Sequence, residues 1–150
     1  MGHDGIAAIG GEQYTTKQEL RIVERFSLSE KRWERLPDMP SERSFAGATM
    51  WRGKLIVVGG WVRGRCLNTV EAYDAVAGAW QAMPSLLHPR VDPELAIFGG
   101  ALVVFDGWNG GVLVDEVEQY DADAQLWKVI HRVKGGGLGA VMSLPRRLWT

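Results

Sequence analysis

The sequence has a single cysteine among its 150 residues, Cys66. One cysteine cannot form an internal disulfide, so a reducing compartment, the cytoplasm or the nucleus, is the expected location. Neither sign of charge is in excess, because 17 basic residues oppose 18 acidic ones and the net charge is -1. Without a basic excess, we expect no general attraction to nucleic acid or to an anionic membrane.

Long hydrophobic runs are also missing. The longest apolar stretch, residues 96–105, contains Gly99 and Gly100 and is too short to span a bilayer. The N-terminal MGHDGIAAIGG lacks the basic start and the continuous apolar segment of a secretory signal peptide, so none is expected. The composition predicts a soluble globular chain, long enough for one domain with its own core.

Motifs for phosphate binding, metal binding and nucleophilic catalysis are not found either. The glycine pairs are not followed by the Lys-Ser/Thr of a P-loop, and they do not open a helix as G-x-G-x-x-G does. His3, His88 and His131 lack ligand-like spacing, and no Ser–His–Asp set stands out. We therefore expect no catalytic residues, no metal site and no cofactor, and a protein that is not an enzyme.

What the sequence does contain is an internal repeat. LIVVGGW, residues 55–61, returns as LVVFDGW, residues 102–108, at an offset of 47 residues. An earlier stretch, IAAIGG, ends at Gly11, and its following loop is two residues longer. Other residues at the same offset are Glu24, Glu71 and Glu118; Trp33, Trp80 and Trp127; and Arg43 and Arg90. Residues 1–150 therefore form one repeat domain, with copies at about 5–43, 44–90 and 91–137.

Each copy predicts about four short strands. Residues 55–58 are apolar, β-branched and bounded by glycines, which is typical of a strand buried on both faces. Residues 70–73 alternate with period two, and further strands are predicted at 44–50 and 80–83. Residues 17–33 contain good helix formers, but their register with the turn-containing second copy favours strands. One small sheet cannot bury both its faces, whereas radially stacked sheets can.

This repeat resembles the kelch repeat, whose period is about 50 residues. The shared features are the double glycine after a strand, the spaced E-x-Y-D, the tryptophan and the distal arginine. This resemblance implies an all-β fold of kelch β-propeller blades, here three four-stranded antiparallel sheets. Strands in such blades are named a to d from the axis outward, and this chain would begin at strand b. GLGAVMSL, residues 137–144, would then be an unpartnered strand a, so that residues 138–150 hold a closing strand and a tail.

Three positions depart from the pattern. Gly59 is replaced by Asp106 in the third copy, and we expect the turn to survive because Asp tolerates a left-handed backbone. Pro93 falls within the third copy's predicted strand a and weakens that prediction. Arg90 corresponds to Gly137, so the last loop loses its basic residue.

The number of blades is the larger departure, since propellers have four to eight and three cannot close a ring. Two blade faces would stay open, which favours association. We favour self-pairing, in which this chain is half of a six-bladed ring. The alternative is a partial propeller that belongs to a longer protein.

Residues repeated in every copy are expected to serve the fold, so function is sought where the copies differ. The resemblance implies that the b–c loops, residues 12–19, 62–66 and 109–113, share one rim with the d–a loops, residues 39–43 and 86–90, and that this rim binds protein partners. Aromatic and arginine side chains are favoured at interface hot spots, and clustered arginines suit acidic or phosphorylated peptides. The candidate partner-binding residues are Tyr14, Lys17, Arg43, Arg63, Arg65, Arg90, Trp108 and Asn109.

The sequence therefore predicts a non-enzymatic protein-interaction module. In the kelch family such modules recruit substrates to cullin-RING ubiquitin ligases or bind actin and other cytoskeletal proteins. A ligase role needs a BTB or F-box domain, for which this chain has no room, so another chain would supply it. The alternatives are an enzyme or small-molecule-binding propeller that uses its central channel, and a truncated fragment without function.

Overall fold

The computed structural model describes residues 5–134, which form three antiparallel sheets and a short hairpin. Residues 5–134 contain no helix, and hence none that could cross a membrane. The strands are β1 (Gly5–Ile9), β2 (Val23–Ser27), β3 (Arg32–Leu36), β4 (Gly47–Trp51), β5 (Lys54–Val58), β6 (Trp61–Val62), β7 (Arg65–Cys66), β8 (Val70–Asp74), β9 (Ala79–Met83), β10 (Glu94–Phe98), β11 (Ala101–Phe105), β12 (Glu116–Asp121) and β13 (Leu126–Arg132).

The three sheets follow the repeat. The first blade is β1-β2-β3, the second is β4-β5-β8-β9 and the third is β10-β11-β12-β13, while β6 and β7 form a hairpin of their own. Within residues 5–134 the first blade has three strands, which correspond to strands b, c and d of the other blades. Strands also replace the helix that residues 17–33 alone would favour. The predicted strand a at residues 137–144 and its tail lie outside the described residues.

The core lies along the middle strands and between the blades. Ile56, Val57 and Val58 of β5 are fully buried, as predicted for a strand covered on both faces. The period-two alternation expected for residues 70–73 is not observed, because all four of these residues are buried. The second blade lies between two others, so both of its faces are covered.

The inner strands begin later than predicted. Strand a of the second copy was expected from Ser44, but β4 begins at Gly47. Ser44 instead pairs with Trp61 in an isolated bridge, and Phe45 has a positive φ of 50°, which a strand does not accept. In the third copy β10 starts at Glu94, directly after Pro93, so the missing proline N–H removes no bond from the ladder.

Asp106 keeps the turn that glycine makes in the second copy, as predicted. The φ angle of Asp106 is 56° and that of Gly59 is 63°, and the glycines that follow them have φ angles of 98° and 107°. The Asp106 carboxylate also accepts a hydrogen bond from the Gly107 N–H at 2.8 Å. The requirement at this position is therefore a left-handed backbone and not a phosphate site.

Replacement of Asp106 tests this backbone requirement. Asp106→Val should lower the free energy of unfolding by about 1–2 kcal/mol, because a β-branched side chain is strained in the left-handed region. Asp106→Gly should stay within about 0.5 kcal/mol of the natural protein. Urea unfolding followed by tryptophan fluorescence measures both variants, and equal losses in the two would contradict the backbone explanation.

Candidate partner-binding rim

The b–c and d–a loops meet at one end of the blades, as the resemblance to kelch repeats implied. The Arg43 N–H donates to the Leu20 carbonyl at 3.0 Å, and the Arg90 N–H donates to the Leu67 carbonyl at 2.9 Å. Val91 of the second d–a loop pairs with Trp108 of the third b–c loop. We call this surface, built by residues 12–19, 39–45, 61–67, 86–92 and 108–113, the rim.

The second b–c loop is an ordered hairpin, which the sequence analysis treated as an open loop. Strands β6 and β7 are joined by Arg63 and Gly64, whose φ angles are 47° and 79°. Two consecutive positive φ angles are typical of the tight turns that connect two-residue hairpins. The hairpin holds Arg65 at a fixed and exposed position on the rim.

Neighbouring loops of the rim contact each other. The carboxylate of Glu19, in the first loop, accepts a hydrogen bond from the Arg63 N–H at 3.2 Å. The rings of Trp61 and Trp108 lie 6.2 Å apart between the second and third loops. The rim is therefore one continuous surface across all three blades.

Tyr14 and Lys17 occupy the first loop. Tyr14 is 85% exposed, and the Lys17 ammonium lies 4.9 Å from the centre of its ring. Lys17 also forms an ion pair with Glu12 at 3.2 Å. The phenol is thus presented to solvent, while the charge of the lysine is partly balanced within the loop.

The remaining exposed cations differ in their partners. Arg63 donates to the carboxylate of Glu42 at 2.7 Å, so a rim acid balances its charge. Arg65 is exposed and forms no ion pair with any residue in the range 5–134. Less net positive charge is available on the rim than the sequence suggested.

Trp108 and Asn109 lie in the third loop. Trp108 is 39% exposed, which leaves part of its ring open to a partner. The side-chain oxygen of Asn109 accepts hydrogen bonds from the N–H groups of Gly111 and Val112, both at 3.1 Å. Asn109 therefore shapes the loop that presents the neighbouring apolar side chains.

For Arg43 and Arg90 the prediction of a partner contact is wrong. Both side chains are completely buried. Each one leaves the rim and enters the next blade, where Arg43 meets Glu71 and Arg90 meets Glu118, both at 2.8 Å. A buried guanidinium is stabilised by such a partner, so these two residues serve the junctions between blades.

Arg90 joins the second blade to the third. Its backbone carbonyl accepts the Gly60 N–H at 2.8 Å, within the second blade. Its guanidinium donates to the Glu118 carboxylate and, at 2.7 Å each, to the carbonyls of Asp106 and Glu116 in the third blade. The arginine is therefore held in two blades at once.

Arg43 makes the equivalent junction between the first and second blades, but less completely. Burial lowers the pKa of Arg43, and the Glu71 carboxylate opposes this shift. One carboxylate oxygen of Glu71 has no hydrogen-bond donor among the described residues. In the other junction the Leu87 N–H donates to Glu118 at 2.8 Å, whereas the corresponding residue here is Pro40, which has no N–H.

The repeated tryptophans also connect blades, which confirms the structural role predicted for them. The Trp80 indole donates to the Pro37 carbonyl of the preceding blade, and that of Trp127 donates to the Pro84 carbonyl, both at 2.8 Å. Trp127 is 4% exposed, whereas Trp33 in the first blade is 49% exposed. Among residues 5–134 no preceding blade covers Trp33.

Phe45 is a candidate rim residue that the sequence analysis missed. It is 60% exposed although it is large and apolar, and its φ angle of 50° lies in the left-handed region. An aromatic residue in this conformation is strained, and such residues cluster at functional sites. The available signal was that the equivalent positions are Asp92 and Gly139, two residue types that tolerate a positive φ.

Two observations concern the thiol and the metal-binding residue types among residues 5–134. Burial raises the pKa of the Cys66 thiol, which makes the thiolate less accessible. Among residues 5–134, no group of three or more His, Cys, Asp or Glu side chains could hold a metal ion.

Comparisons with known proteins agree with the repeat. Residues 42–87 match the Kelch motif. Over 71 residues the chain is 37% identical to Kelch-like protein 41a of Danio rerio, a match that covers 46% of this chain and 11% of that protein. Over 67 residues it is 34% identical to Kelch domain-containing protein 8B of Homo sapiens, covering 39% of this chain and 19% of that protein.

The fold has a solved counterpart. The structure of YjhT superimposes with a TM-score of 0.76 at 14% identity, and the match covers 91% of this chain and 51% of that one. The chain thus matches about half the length of this structure and less than a fifth of the curated relatives.

The stacked antiparallel sheets define a set of β-propeller blades. The second copy matches the Kelch motif and the third copy has the same junction residues, so the chain is similar to kelch-repeat proteins.

The junction arginines give a matched pair of tests. Arg90→Met should lower the free energy of unfolding by about 3–5 kcal/mol, because it leaves the buried Glu118 carboxylate without its cation. Arg43→Met should lower the free energy of unfolding by a smaller amount, because the pairing of Arg43 with Glu71 is already incomplete. Denaturant unfolding measures both variants.

The control is Arg65→Met, which removes an exposed cation and should change stability by less than about 0.5 kcal/mol. Equal effects of all three substitutions would contradict the assignment of Arg43 and Arg90 to the blade junctions.

Proposed function

We propose that this chain is a non-enzymatic protein-interaction module that binds a protein partner with its rim. The continuity of the rim carries the proposal, since Glu19, Arg63, Trp61 and Trp108 link three loops into one surface. That surface exposes an aromatic and an arginine side chain without extensive internal pairing, namely Tyr14 and Arg65. Tyrosine, tryptophan and arginine are the residues that most often dominate interface energies.

The chemistry of the rim favours a partner with both apolar and acidic groups. Val112 and Leu113 are 65% and 53% exposed beside Trp108, so this part of the rim is apolar. Arg65 offers a positive charge, while Lys17 and Arg63 would have to exchange their present carboxylates for those of the partner. An acidic or phosphorylated segment with a neighbouring apolar side chain fits this surface.

A propeller that binds a small molecule in its central channel was the rival function. It should place polar side chains on the inner strands. The exposed side chains are Ala48 and Met50 in β4 and Glu94 and Phe98 in β10, so three of the four are apolar and the one charged residue is the first of its strand. This observation supports the rim over the channel.

The named relatives are kelch-like and kelch domain-containing proteins, which supports the protein-interaction class. We propose that the partner is either a substrate brought to a cullin-RING ubiquitin ligase or a cytoskeletal protein such as actin. Binding to filamentous actin and to a panel of acidic, phosphorylated and apolar peptides distinguishes a cytoskeletal partner from a ligase substrate.

Two rim variants test the proposal. Arg65→Glu should weaken binding of the best acidic peptide at least tenfold, about 1.4 kcal/mol, through charge reversal. Trp108→Ala should weaken it about 30-fold, as expected for an interface hot spot. Fluorescence anisotropy with the labelled peptide measures both.

The control variant is Lys31→Glu, which reverses an exposed charge in the β2–β3 turn, at the opposite end of the first blade. It should leave peptide affinity within a factor of two. Binding that falls equally in all three variants, or in none of them, would contradict recognition by the rim.

A further inference from the structure

A pocket lies between the second and third blades, at the end of the sheets opposite the rim. The turns between β4 and β5, between β10 and β11 and between β12 and β13 border it. Its volume of about 350 Å³ is at the lower end of the roughly 300–1,000 Å³ that ligand pockets occupy. The pocket shares no residue with the rim, so what it binds does not depend on the function proposed for the rim.

Trp51 forms a fixed wall of the pocket. Its indole N–H donates to the carbonyl of Gly100 at 2.8 Å, so the second blade is bonded to the third at this point. Its ring meets the ring of Tyr120 edge-on, with 5.7 Å between the ring centres. Two aromatic side chains from neighbouring blades therefore shape the pocket without a ligand.

Arg52 supplies a cation that the fold itself does not use. Its guanidinium carbon lies over the Trp51 ring, 4.6 Å from the ring centre. The side chain is exposed and forms no ion pair with any residue in the range 5–134. A guanidinium that stacks on an aromatic ring is held in place while its N–H donors stay free. Such donors are suited to a carboxylate, which arginine binds with two parallel hydrogen bonds.

The backbone at Arg52 has a conformation that favours glycine. Its φ angle is 48°, and the equivalent residue of the third blade is Gly99, whose φ angle is 58°. Non-glycine residues in the left-handed region are uncommon and cluster at ligand-binding and catalytic sites. A Cβ atom added at Gly99 or Gly100 would meet no atom within 4 Å, so the pocket is open beside their turn.

Tyr120 supplies a second donor. It is 4% exposed, and its hydroxyl has no hydrogen-bond partner among residues 5–134. Burial raises the pKa of Tyr120, so the phenol keeps its proton and can donate a hydrogen bond. The charge of Arg52 is close enough to oppose this rise in the pKa. An oxygen acceptor in the pocket would therefore meet the phenol and the guanidinium together.

Two carboxylates also border the pocket, and only one of them is balanced. Asp121 accepts hydrogen bonds from the Lys128 ammonium at 2.6 Å and from the N–H groups of Asp123 and Ala124 at 3.1 Å and 2.9 Å. Asp123 is exposed, and its carboxylate forms no ion pair within residues 5–134. Among the described residues that border the pocket, Arg52 and Asp123 are thus the cation and the anion without a charged partner.

We propose that this pocket binds a small zwitterion, a molecule with one carboxylate and one amino group such as a free α-amino acid. The carboxylate of the ligand accepts from Arg52 and Tyr120, and its ammonium group lies against Asp123. A ligand with a single charge would satisfy one of the two free charges and leave the other without a partner.

Isothermal titration calorimetry of the whole chain with each common L-α-amino acid tests the proposal. At least one amino acid should bind with a Kd below about 1 mM, and acetate and ethylamine, which each carry one of its two charges, should bind at least about tenfold more weakly. Tyr120→Phe keeps the ring and should weaken binding of the best amino acid about three- to tenfold, through loss of one hydrogen bond. Asp123→Asn keeps the shape of the side chain and should weaken it by about tenfold.

A matched pair of glycine variants gives the sharpest comparison. Arg52→Gly introduces the residue found in the third blade, so the turn should be kept while amino-acid binding falls at least about tenfold. The control is Lys31→Gly, which removes another exposed cation with a positive φ, 54°, at the same end of the first blade. It should leave binding within about a factor of two, and urea unfolding should show that both variants are folded.

Four results would each overturn the proposal. They are no binding of any amino acid, equally strong binding of acetate or ethylamine, equal weakening in the two glycine variants, and unchanged binding in Asp123→Asn.

Discussion

The buried arginine at each blade junction is the interaction on which the described structure depends. Its backbone is bonded into one blade and its guanidinium into the next, so a single residue fixes the spacing and the orientation of two sheets. A guanidinium has enough donors in a fixed plane to satisfy a carboxylate and two carbonyls together, which a lysine ammonium could not match. The tryptophan bonds at the outer strands, from Trp80 and Trp127, complete the contact. Because the arginine and tryptophan contacts hold adjacent blades together, the rim loops can vary in sequence.

Repeated side chains and variable side chains occupy different parts of the structure. Side chains at the repeat offset lie between blades, where each copy has the same neighbours. Side chains that differ between copies lie in the loops, where Tyr14, Arg65 and Val112 are exposed. Contacts between adjacent loops, such as that of Glu19 with Arg63, make the variable surface continuous without constraining its chemistry. A rigid scaffold with variable loops is the usual basis of recognition surfaces.

Much of this could be predicted from the sequence, because one offset aligned the strands of three copies and identified Asp106 as a turn residue. The burial of Arg43 and Arg90 was not predicted, although they share that offset with Glu71 and Glu118. A charged residue at the end of a loop normally indicates exposure, and only the neighbouring blade shows that these side chains enter a carboxylate pocket. The left-handed conformation of Phe45 was missed for a similar reason. Its carbonyl accepts the Asp92 N–H, and the preceding Ser44 pairs with Trp61, so long-range backbone bonds fix a conformation that an aromatic residue does not prefer locally.

Pro40 makes the junction between the first and second blades weaker than the next junction. Repeat arrays are stabilised by each unit and by each contact between neighbours, so a weak contact is where an array begins to separate. The first junction lacks the backbone donor that Leu87 supplies to the second, and one oxygen of its buried carboxylate is left without a bond among the described residues. We therefore expect the first blade to separate from the second more readily than the second separates from the third. Proteases that need an open segment would cut the connection at residues 37–46 before its counterpart at residues 84–93.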